Sequence, residues 1–263
     1  MKHLAIFCAA VALLSPARGW SCAWTLPEGD TQIISNVTWS HAAAGFSDSG
    51  APMTPLTFAK LWTSATAEYG LTNDLTLNLE GEFARAETAT GSAPLSHAQD
   101  FAYGGGLRYR LMYGDFGVLS AQATFKSAGA FDLSVSANDV GGQQADFRLL
   151  YGTNFTLFGD DGFADIEAGE RWLSGARPNE TPIDLAAGLH LNEHNMVLLQ
   201  NFNIIAGGDG RPPFGYYRIH KIALSWVTGP WHGLSLQTGA FMSPAGQNSL
   251  VETGAFAAIW ADL

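Results

Sequence analysis

Asp74-Leu-Thr-Leu-Asn-Leu-Glu-Gly-Glu-Phe83 alternates apolar and polar residues without a break. Successive side chains of an extended chain point to opposite faces. Leu75, Leu77, Leu79 and Phe83, with Gly81 among them, therefore share one face, and Thr76, Asn78, Glu80 and Glu82 share the other. The period of two specifies a strand with one apolar and one charged face.

The pattern recurs on both sides of this stretch. Upstream, Leu61, Ala65, Ala67 and Tyr69 oppose Lys60, Ser64, Thr66 and Glu68. Downstream, Phe101, Tyr103, Leu107, Tyr109, Leu111 and Tyr113 oppose Gly104, Gly106, Arg108 and Arg110. Leu119, Ala121, Ala123 and Phe125 then oppose Ser120, Gln122, Thr124 and Lys126, and Ala145, Phe147, Leu149 and Tyr151 oppose Gln144, Asp146 and Arg148. Ile183, Leu185, Ala187 and Leu189 oppose Asp184 and smaller residues. Segments 31–40, 55–69, 74–86, 100–113, 116–127, 143–153, 162–173, 181–191, 195–206, 215–227, 233–243 and 250–262 make about twelve strands, an even number as bacterial membrane barrels require. Glu170 in the seventh segment, and Asn201 and Asn203 in the ninth, interrupt the apolar face.

The connections alternate in length. Tight turn-forming links at 70–74, 113–115, 159–162, 192–195 and 229–233 separate longer polar stretches at 42–52, 88–97, 129–142, 174–181 and 207–213. Short turns at one end and long loops at the other are the rhythm of an up-and-down barrel crossing an outer membrane. A soluble sandwich or lipocalin-like barrel also alternates. Three features favour the membrane: polar faces that mix both charge signs, aromatics near strand ends (Trp39, Tyr69, Tyr113, Tyr151, Trp172, Trp226 and Trp260) that suit interfacial girdles, and a final strand that runs to Leu263, where such barrels usually carry an aromatic.

The N-terminus adds an address. Met-Lys-His precedes the apolar run Leu4–Leu14 and then small residues, the form of a secretory signal peptide. The run is shorter than the about 20 apolar residues of a spanning helix. Cleavage after Gly19 or after Ala23 fits the small-residue rule, so residues 1–23 are assigned to the signal and 24–263 to a single barrel domain. Lipid attachment at Cys22 is an alternative. With Cys8 removed by cleavage, no intramolecular disulfide and no cysteine metal cluster is expected. A formal charge of −11 argues against nucleic acid as a partner, since a polyanion would be repelled.

The stretch Ala23-Trp-Thr-Leu-Pro-Glu-Gly-Asp-Thr-Gln32, the tight turn followed by the alternation of residues 75–81, and the run of strands to the C-terminus resemble the phenol-degradation meta-pathway (MetA-pathway) transporter family of proteobacterial outer-membrane proteins. The resemblance implies a barrel with a role in uptake or export of small, often hydrophobic, compounds. It carries no catalytic motif.

The charged faces are the candidate site. Lys60, Glu68, Glu80, Glu82, Arg108, Arg110, Asp146, Arg148, Asp165, Glu167 and Arg171 are expected to line the lumen. Opposed acidic and basic rows there either filter solutes by charge or pair across the lumen and plug it. Catalytic residues, metal ligands and cofactors are not expected. His41, His97, His190, His194, His220 and His232 are scattered, and His190 and His194 lie across a turn rather than on one helix face. Gly104–Gly106 sits inside a strand and reads as a bend or a place where a bulky lumen residue needs room. Three functions follow in order: a passive channel for small solutes with outer-membrane lipid around it, a non-conducting structural or assembly barrel linked to a cell-surface polymer, and a lipid-modifying enzyme.

Overall fold

The computed structural model describes residues 23–90, 96–127, 143–211 and 215–263. Residues 1–22, most of the stretch expected as a signal peptide, lie outside them, as do both cysteines and the 129–142 stretch. Twelve antiparallel strands close into one barrel. In chain order these are β1 (Thr31–Phe46), β2 (Pro52–Thr72), β3 (Leu75–Thr90), β4 (Ser96–Gly114), β5 (Gly117–Lys126) and β6 (Gln144–Leu157). They continue as β7 (Asp160–Leu173), β8 (Glu180–Asn192), β9 (Asn195–Ala206), β10 (Arg218–Trp231), β11 (Leu234–Gln247) and β12 (Leu250–Asp262). Each strand pairs with its sequence neighbours, and β1 pairs with β12 from Gln32↔Asp262 to Gly45↔Leu250, which removes every sheet edge.

One end of the barrel, the turn end, is made of five two-residue links at 73–74, 115–116, 158–159, 193–194 and 232–233, together with the ends of β1 and β12. Phe158 and Gly159 both have positive φ (56° and 95°), as do His232 and Gly233 (52° and 80°). This is the backbone signature of the type I′ turn, whose twist matches that of the strands it joins. These turns therefore fall at Phe158–Gly159 and His232–Gly233, and the seventh strand starts at Asp160 rather than at residue 162. The other end, the loop end, carries the longer connections. Stretches expected as loop are partly strand here: β1 runs on to Phe46 and β2 begins at Pro52, because pairing continues from Ala44↔Pro55 to Phe46↔Pro52.

Which face is apolar settles what surrounds the barrel. Leu79, Phe101 and Tyr103 point outward and are 51%, 58% and 64% exposed. Leu107, Phe125, Leu149, Leu199, Leu224 and Ile259 are exposed alongside them. Inward positions instead carry Asn36, Ser40, Asn78, Arg108, Glu167, Gln200 and Glu252, all buried. A barrel in water turns its apolar face inward; this one shows it outward, as hydrocarbon demands. Trp39, Tyr69, Tyr113, Tyr151, Trp172 and Trp226 all lie on that outer face. Trp260 does not: it is 3% exposed, inside the barrel, because it shares parity with Glu252, Phe256 and Ala258.

The polar residues that interrupt the outer face satisfy one another. The Asn203 amide donates to the Ile183 carbonyl at 2.7 Å and to Asn201 at 2.6 Å, Asn201 donates to the Lys221 carbonyl at 3.2 Å, and His220 bonds Asn203. Glu170, toward the loop end of β7, accepts the Thr181 hydroxyl at 2.9 Å. Internal partners reduce the cost of facing an apolar medium.

Candidate functional site: the lumen

A floor built from the chain's own N-terminal segment lies across the turn end of the lumen. Residues 23–30 precede β1; of these, residues 23–26 fold into the barrel, with Ala23, Thr25 and Leu26 buried, and residues 27–29 are exposed. The Ala23 carbonyl accepts the Ser120 hydroxyl at 2.5 Å and the Trp24 carbonyl accepts Arg108 at 3.1 Å. The Thr25 hydroxyl donates to the Asn73 carbonyl at 2.8 Å, and the Leu26 amide to the Thr76 hydroxyl at 2.8 Å. Trp24 meets Phe163 edge to face, 6.2 Å between centroids. It packs against a buried apolar group that includes Ile34, Met196, Leu198, Val227 and Trp260. Ala23 packs on Val118 and Leu150. Gly152 makes room for this segment, since a Cβ there would stand 2.5 Å from the Trp24 ring.

Above the floor, ion pairs run around the wall. Arg108 is held in a fork by Glu68 at 2.8 and 3.2 Å and also donates to Gln122 at 3.0 Å. Lys126 reaches Glu80 at 3.1 Å and Glu82 at 3.8 Å. Arg148 bonds Asp146 (2.9 Å), Glu167 (3.1 Å) and Asp184 (2.7 Å). Arg171 links Asp146 to Glu180 at 2.9 and 2.8 Å, and Glu180 takes Arg177 at 3.1 Å. Glu180 also accepts the Tyr217 hydroxyl. Burial and the Glu180 carboxylate hold the Tyr217 phenol above its ordinary pKa, so it stays a neutral donor. On the opposite wall the fully buried Glu252 carboxylate accepts Ser40 at 2.5 Å and pairs with both Lys60 (3.2 Å) and Lys221 (2.7 Å).

Two cavities lie between these walls. A turn-end chamber of about 310 Å³ is bordered by Glu68, Glu80, Arg108, Asp146, Arg148 and Glu167, among others. A loop-end chamber of about 340 Å³ is bordered by Lys60, Trp62, Arg177, Phe202, Lys221 and Phe256, among others. Trp62, Glu82, Lys126, Gln144, Arg171 and Phe202 border both, so the chambers adjoin. Gly106 lets β4 sit close to β5 beside them: a Cβ there would stand 2.1 Å from the Ala123 carbonyl.

The residues expected in the lumen fall into four groups. Lys60 borders the loop-end chamber alone; Glu68, Glu80, Arg108, Asp146, Arg148 and Glu167 border the turn-end chamber alone; Glu82 and Arg171 border both. Asp165 is buried beside Glu167 and borders neither. Arg110 sits at the turn-end rim, paired with Asp74 of the β2–β3 turn at 2.5 Å, and borders neither. Register sets the partners. Glu80 stands opposite Gly104 and Glu82 opposite Ala102, and the cation that meets both carboxylates is Lys126 from β5.

Glu252, Lys221, Glu180 and Arg177 were not singled out by sequence. Strand parity carried a signal for the first two: Lys221 keeps step with Ala223 and Ser225, and Glu252 with Phe256. Arg177 belongs to a loop, where parity has no meaning. The histidines are dispersed. His41 lies outward against Trp39 (5.1 Å between rings), His220 is bound to Asn203, and His194 and His232 occupy turns. The side chain of His97 lies outside the described residues. Among the described residues no group of histidine, cysteine and carboxylate side chains could hold a metal ion.

No protein-family model matches the sequence, and no curated protein matches it. Solved structures do. The fold is similar to the crystal structure of the COG4313 outer membrane channel from Pseudomonas putida F1, with TM-score 0.71 and 14% identity, over 94% of this chain and 100% of that one. It is also similar to the translocator domain of the autotransporter NalP from Neisseria meningitidis (TM-score 0.56, 9% identity, 89% and 88% of the two chains). A third is the NanC porin (TM-score 0.52, 8% identity, 87% and 98%). At these identities the likeness bears on the fold alone, the closed, twelve-stranded barrel described above.

Proposed function

We propose that the chain is a passive channel for small solutes in the outer membrane of a Gram-negative cell, with its turn end in the periplasm and its loop end outside. The observation that carries this reading is the pair of adjoining chambers with charged walls inside a barrel whose outer face is apolar. A water-filled path needs polar walls, and a bilayer needs the opposite face apolar. The likeness in fold to an outer membrane channel supports it, as does the resemblance of residues 23–32 and 75–81 to the meta-pathway transporter family. The reading is non-enzymatic.

The floor requires one refinement. Residues 23–30 close the turn end, so conduction follows from displacement of this segment. The same observation favours a second reading, a permanently plugged structural barrel. Conductance of the purified protein in planar bilayers separates them. Discrete, salt-dependent steps support the channel; a protein that migrates as a heat-modifiable folded species yet passes no current supports the plug. The floor also bears on export. Ala23 contributes a hydrogen bond and apolar contacts, which favours signal cleavage after Gly19 over cleavage after Ala23. N-terminal sequencing of the protein recovered from membranes tests this.

A further inference from the structure

We infer that the seam between β11 and β12 at the loop end is a lateral portal, through which small apolar solutes pass between the loop-end chamber and the outer leaflet. The inference rests on the channel reading for a solute to carry, and adds to it a route through the barrel wall.

Here two neighbouring strands stop pairing before they end. β11 and β12 are in register from Leu234↔Ala261 to Met242↔Thr253, yet β11 continues to Gln247 and β12 starts at Leu250. Over this last stretch each strand bonds its other neighbour: Ala245, Gly246 and Gln247 pair with β10, and Leu250 and Glu252 pair with β1. A bulge lies on each side. Ser243 and Pro244 of β11 stand opposite Lys221 alone, and Ala43 and Ala44 of β1 opposite Val251 alone. Bulges bend a strand and disrupt its ladder, and Pro244 has no N–H to give. β7 and β8 also lose pairs, at 169–170 and 181–182, but they resume at Arg171↔Glu180. At a rise of about 3.3 Å per residue, the unpaired stretch from Leu250 to Glu252 and its counterpart on β11 leave a window about 10 Å tall.

Side chains close the window in place of backbone bonds. Lys221 of β10 reaches past β11 to Glu252 of β12 at 2.7 Å, a latch across the seam. The Phe46 ring lies against Gly246, where a Cβ would come within 2.7 Å of it, and Leu250 packs with Phe58 and Ala86. The hairpin tip bounds the window above: the Ser249 hydroxyl donates to the Arg218 carbonyl at 2.7 Å, and the Ser249 carbonyl accepts the Phe46 amide at 2.7 Å. One polar group is left over, the buried Ser243 hydroxyl, which has no hydrogen-bond partner. A buried unpaired donor favours any state that lets it meet water, and opening the seam does so.

Both sides of the window suit an apolar solute. Inside, Phe241 and Phe256 border the loop-end chamber. Phe241 lies over Gly254 of β12, where a Cβ would stand 2.5 Å from its ring, immediately below the seam. Outside, Met242 and Pro244 are exposed. Trp39 of the loop-end girdle stands opposite Ala255, two residues below Thr253, so the window meets the bilayer at its outer interface. Unpaired backbone in a membrane wall is tolerated where it lines a cavity, and here the chamber lies directly behind it.

The test uses the protein labelled with 5-fluorotryptophan and folded into phospholipid vesicles, with Cys22→Ser to leave no native thiol in the mature chain. Di-tert-butyl nitroxide, a small apolar radical that dissolves in the bilayer, is the probe. Its broadening of the Trp62 fluorine resonance, assigned through Trp62→Phe, reads entry into the chamber; Trp39 on the outer face reads its concentration in the lipid. Pro244→Cys/Val251→Cys places two thiols where the register of β11 and β12, if continued, would oppose them. A short bis-thiosulfonate linker joins them across the seam, and a reductant removes it. Closing the seam should lower the Trp62 broadening to the level given by a charged, membrane-impermeant nitroxide while Trp39 is unaffected, and reduction should restore it. Lys221→Met removes the latch, while Glu252 keeps Lys60 and Ser40. It should raise the Trp62 broadening about tenfold, the scale of one charge-assisted hydrogen bond. Trp62 broadening that the linker leaves unchanged overturns the inference, as does its absence in the unaltered protein or a Lys221→Met variant without effect. Ion conductance runs along the barrel axis and should survive the linker, so the two proposals fail separately. Conductance with linker-insensitive broadening sinks the portal alone, and linker-sensitive broadening without conductance sinks the axial path alone.

Discussion

Gly152→Ala tests the floor with a single methyl group. Gly152 lies on β6 with its missing side chain directed at the N-terminal segment. A Cβ there would come within 2.5 and 2.6 Å of two Trp24 ring carbons and within 3.1 Å of the Ala23 Cβ. Carbon pairs are at ease near 3.5–4.0 Å, so the ring must retreat by about 1 Å. Inserting a methylene into a packed site costs about 1–3 kcal/mol, which multiplies the population of the displaced state by about 5- to 150-fold. Hydrogen bonds from Ser120 and Arg108 to the segment's carbonyls, from Thr25, Leu26 and Glu28 to Asn73 and Thr76, and between Gly70 and both Gly29 and Asp30 still hold it. Net contributions near 1 kcal/mol each mean that one methyl shifts the equilibrium without abolishing the closed state. In planar bilayers the open probability should rise by that factor while unit conductance stays fixed. Fluorine NMR of 5-fluorotryptophan-labelled protein, with Trp24 assigned through Trp24→Phe, reports whether the ring has moved. A displaced Trp24 resonance with unchanged current would refute the assignment of residues 23–30 as the closure.

Glu252→Gln leaves Lys60 and Lys221 without their shared carboxylate and should cost about 3–5 kcal/mol, as breaking a buried ion pair does, seen as a lower temperature for loss of heat-modifiable mobility. Arg108→Met should be similarly costly, whereas Arg108→Met/Glu68→Leu, which removes both charges, should recover a large part of the loss; urea unfolding of all variants closes the cycle. Leu199→Arg puts a charge on the outer face opposite Leu224 and Ala187 and should reduce folding free energy into vesicles by about 2–4 kcal/mol if that position lies at the bilayer midplane. Equal folding of the Leu199→Arg variant in vesicles and in detergent-free buffer would contradict a bilayer around this face.

Alternation and the spacing of turns marked about twelve segments, and each overlaps one of the twelve strands. The period of two is a local property, imposed wherever one face of a strand meets lipid and the other does not. Residue 83 and residue 80 fall on opposite faces whatever the rest of the chain does. Parity also placed Lys60, Glu68, Glu80, Glu82, Arg108, Asp146, Arg148, Glu167 and Arg171 on a common inner side. It also puts Trp260 inside, in step with Glu252 and Ala258; the girdle expectation failed there because nearness to a strand end does not fix the face. Strand ends were less legible, because β1 and β2 keep pairing through Ala44, Gly45 and Pro55, residues with loop-like chemistry.

Partners were beyond the sequence. Which cation meets Glu80 depends on register and on the stagger of neighbouring strands, and these set Lys126 beside it while sending Arg108 to Glu68, two strands away. The floor was hidden for a related reason: residues 23–30 have no periodicity, and their burial arises only when Gly152, Ser120, Arg108 and Thr76 converge from four strands. The union of Lys60 and Lys221 at Glu252 likewise spans β2, β10 and β12, which closure through β1 and β11 brings together. The sequence by itself determined the strands and which side chains share a face, because those follow from the two-residue repeat of an extended chain. Tertiary structure alone decided the pairing, the closed end and the chamber, because these depend on distances between residues far apart in the chain, which only closure of the sheet defines.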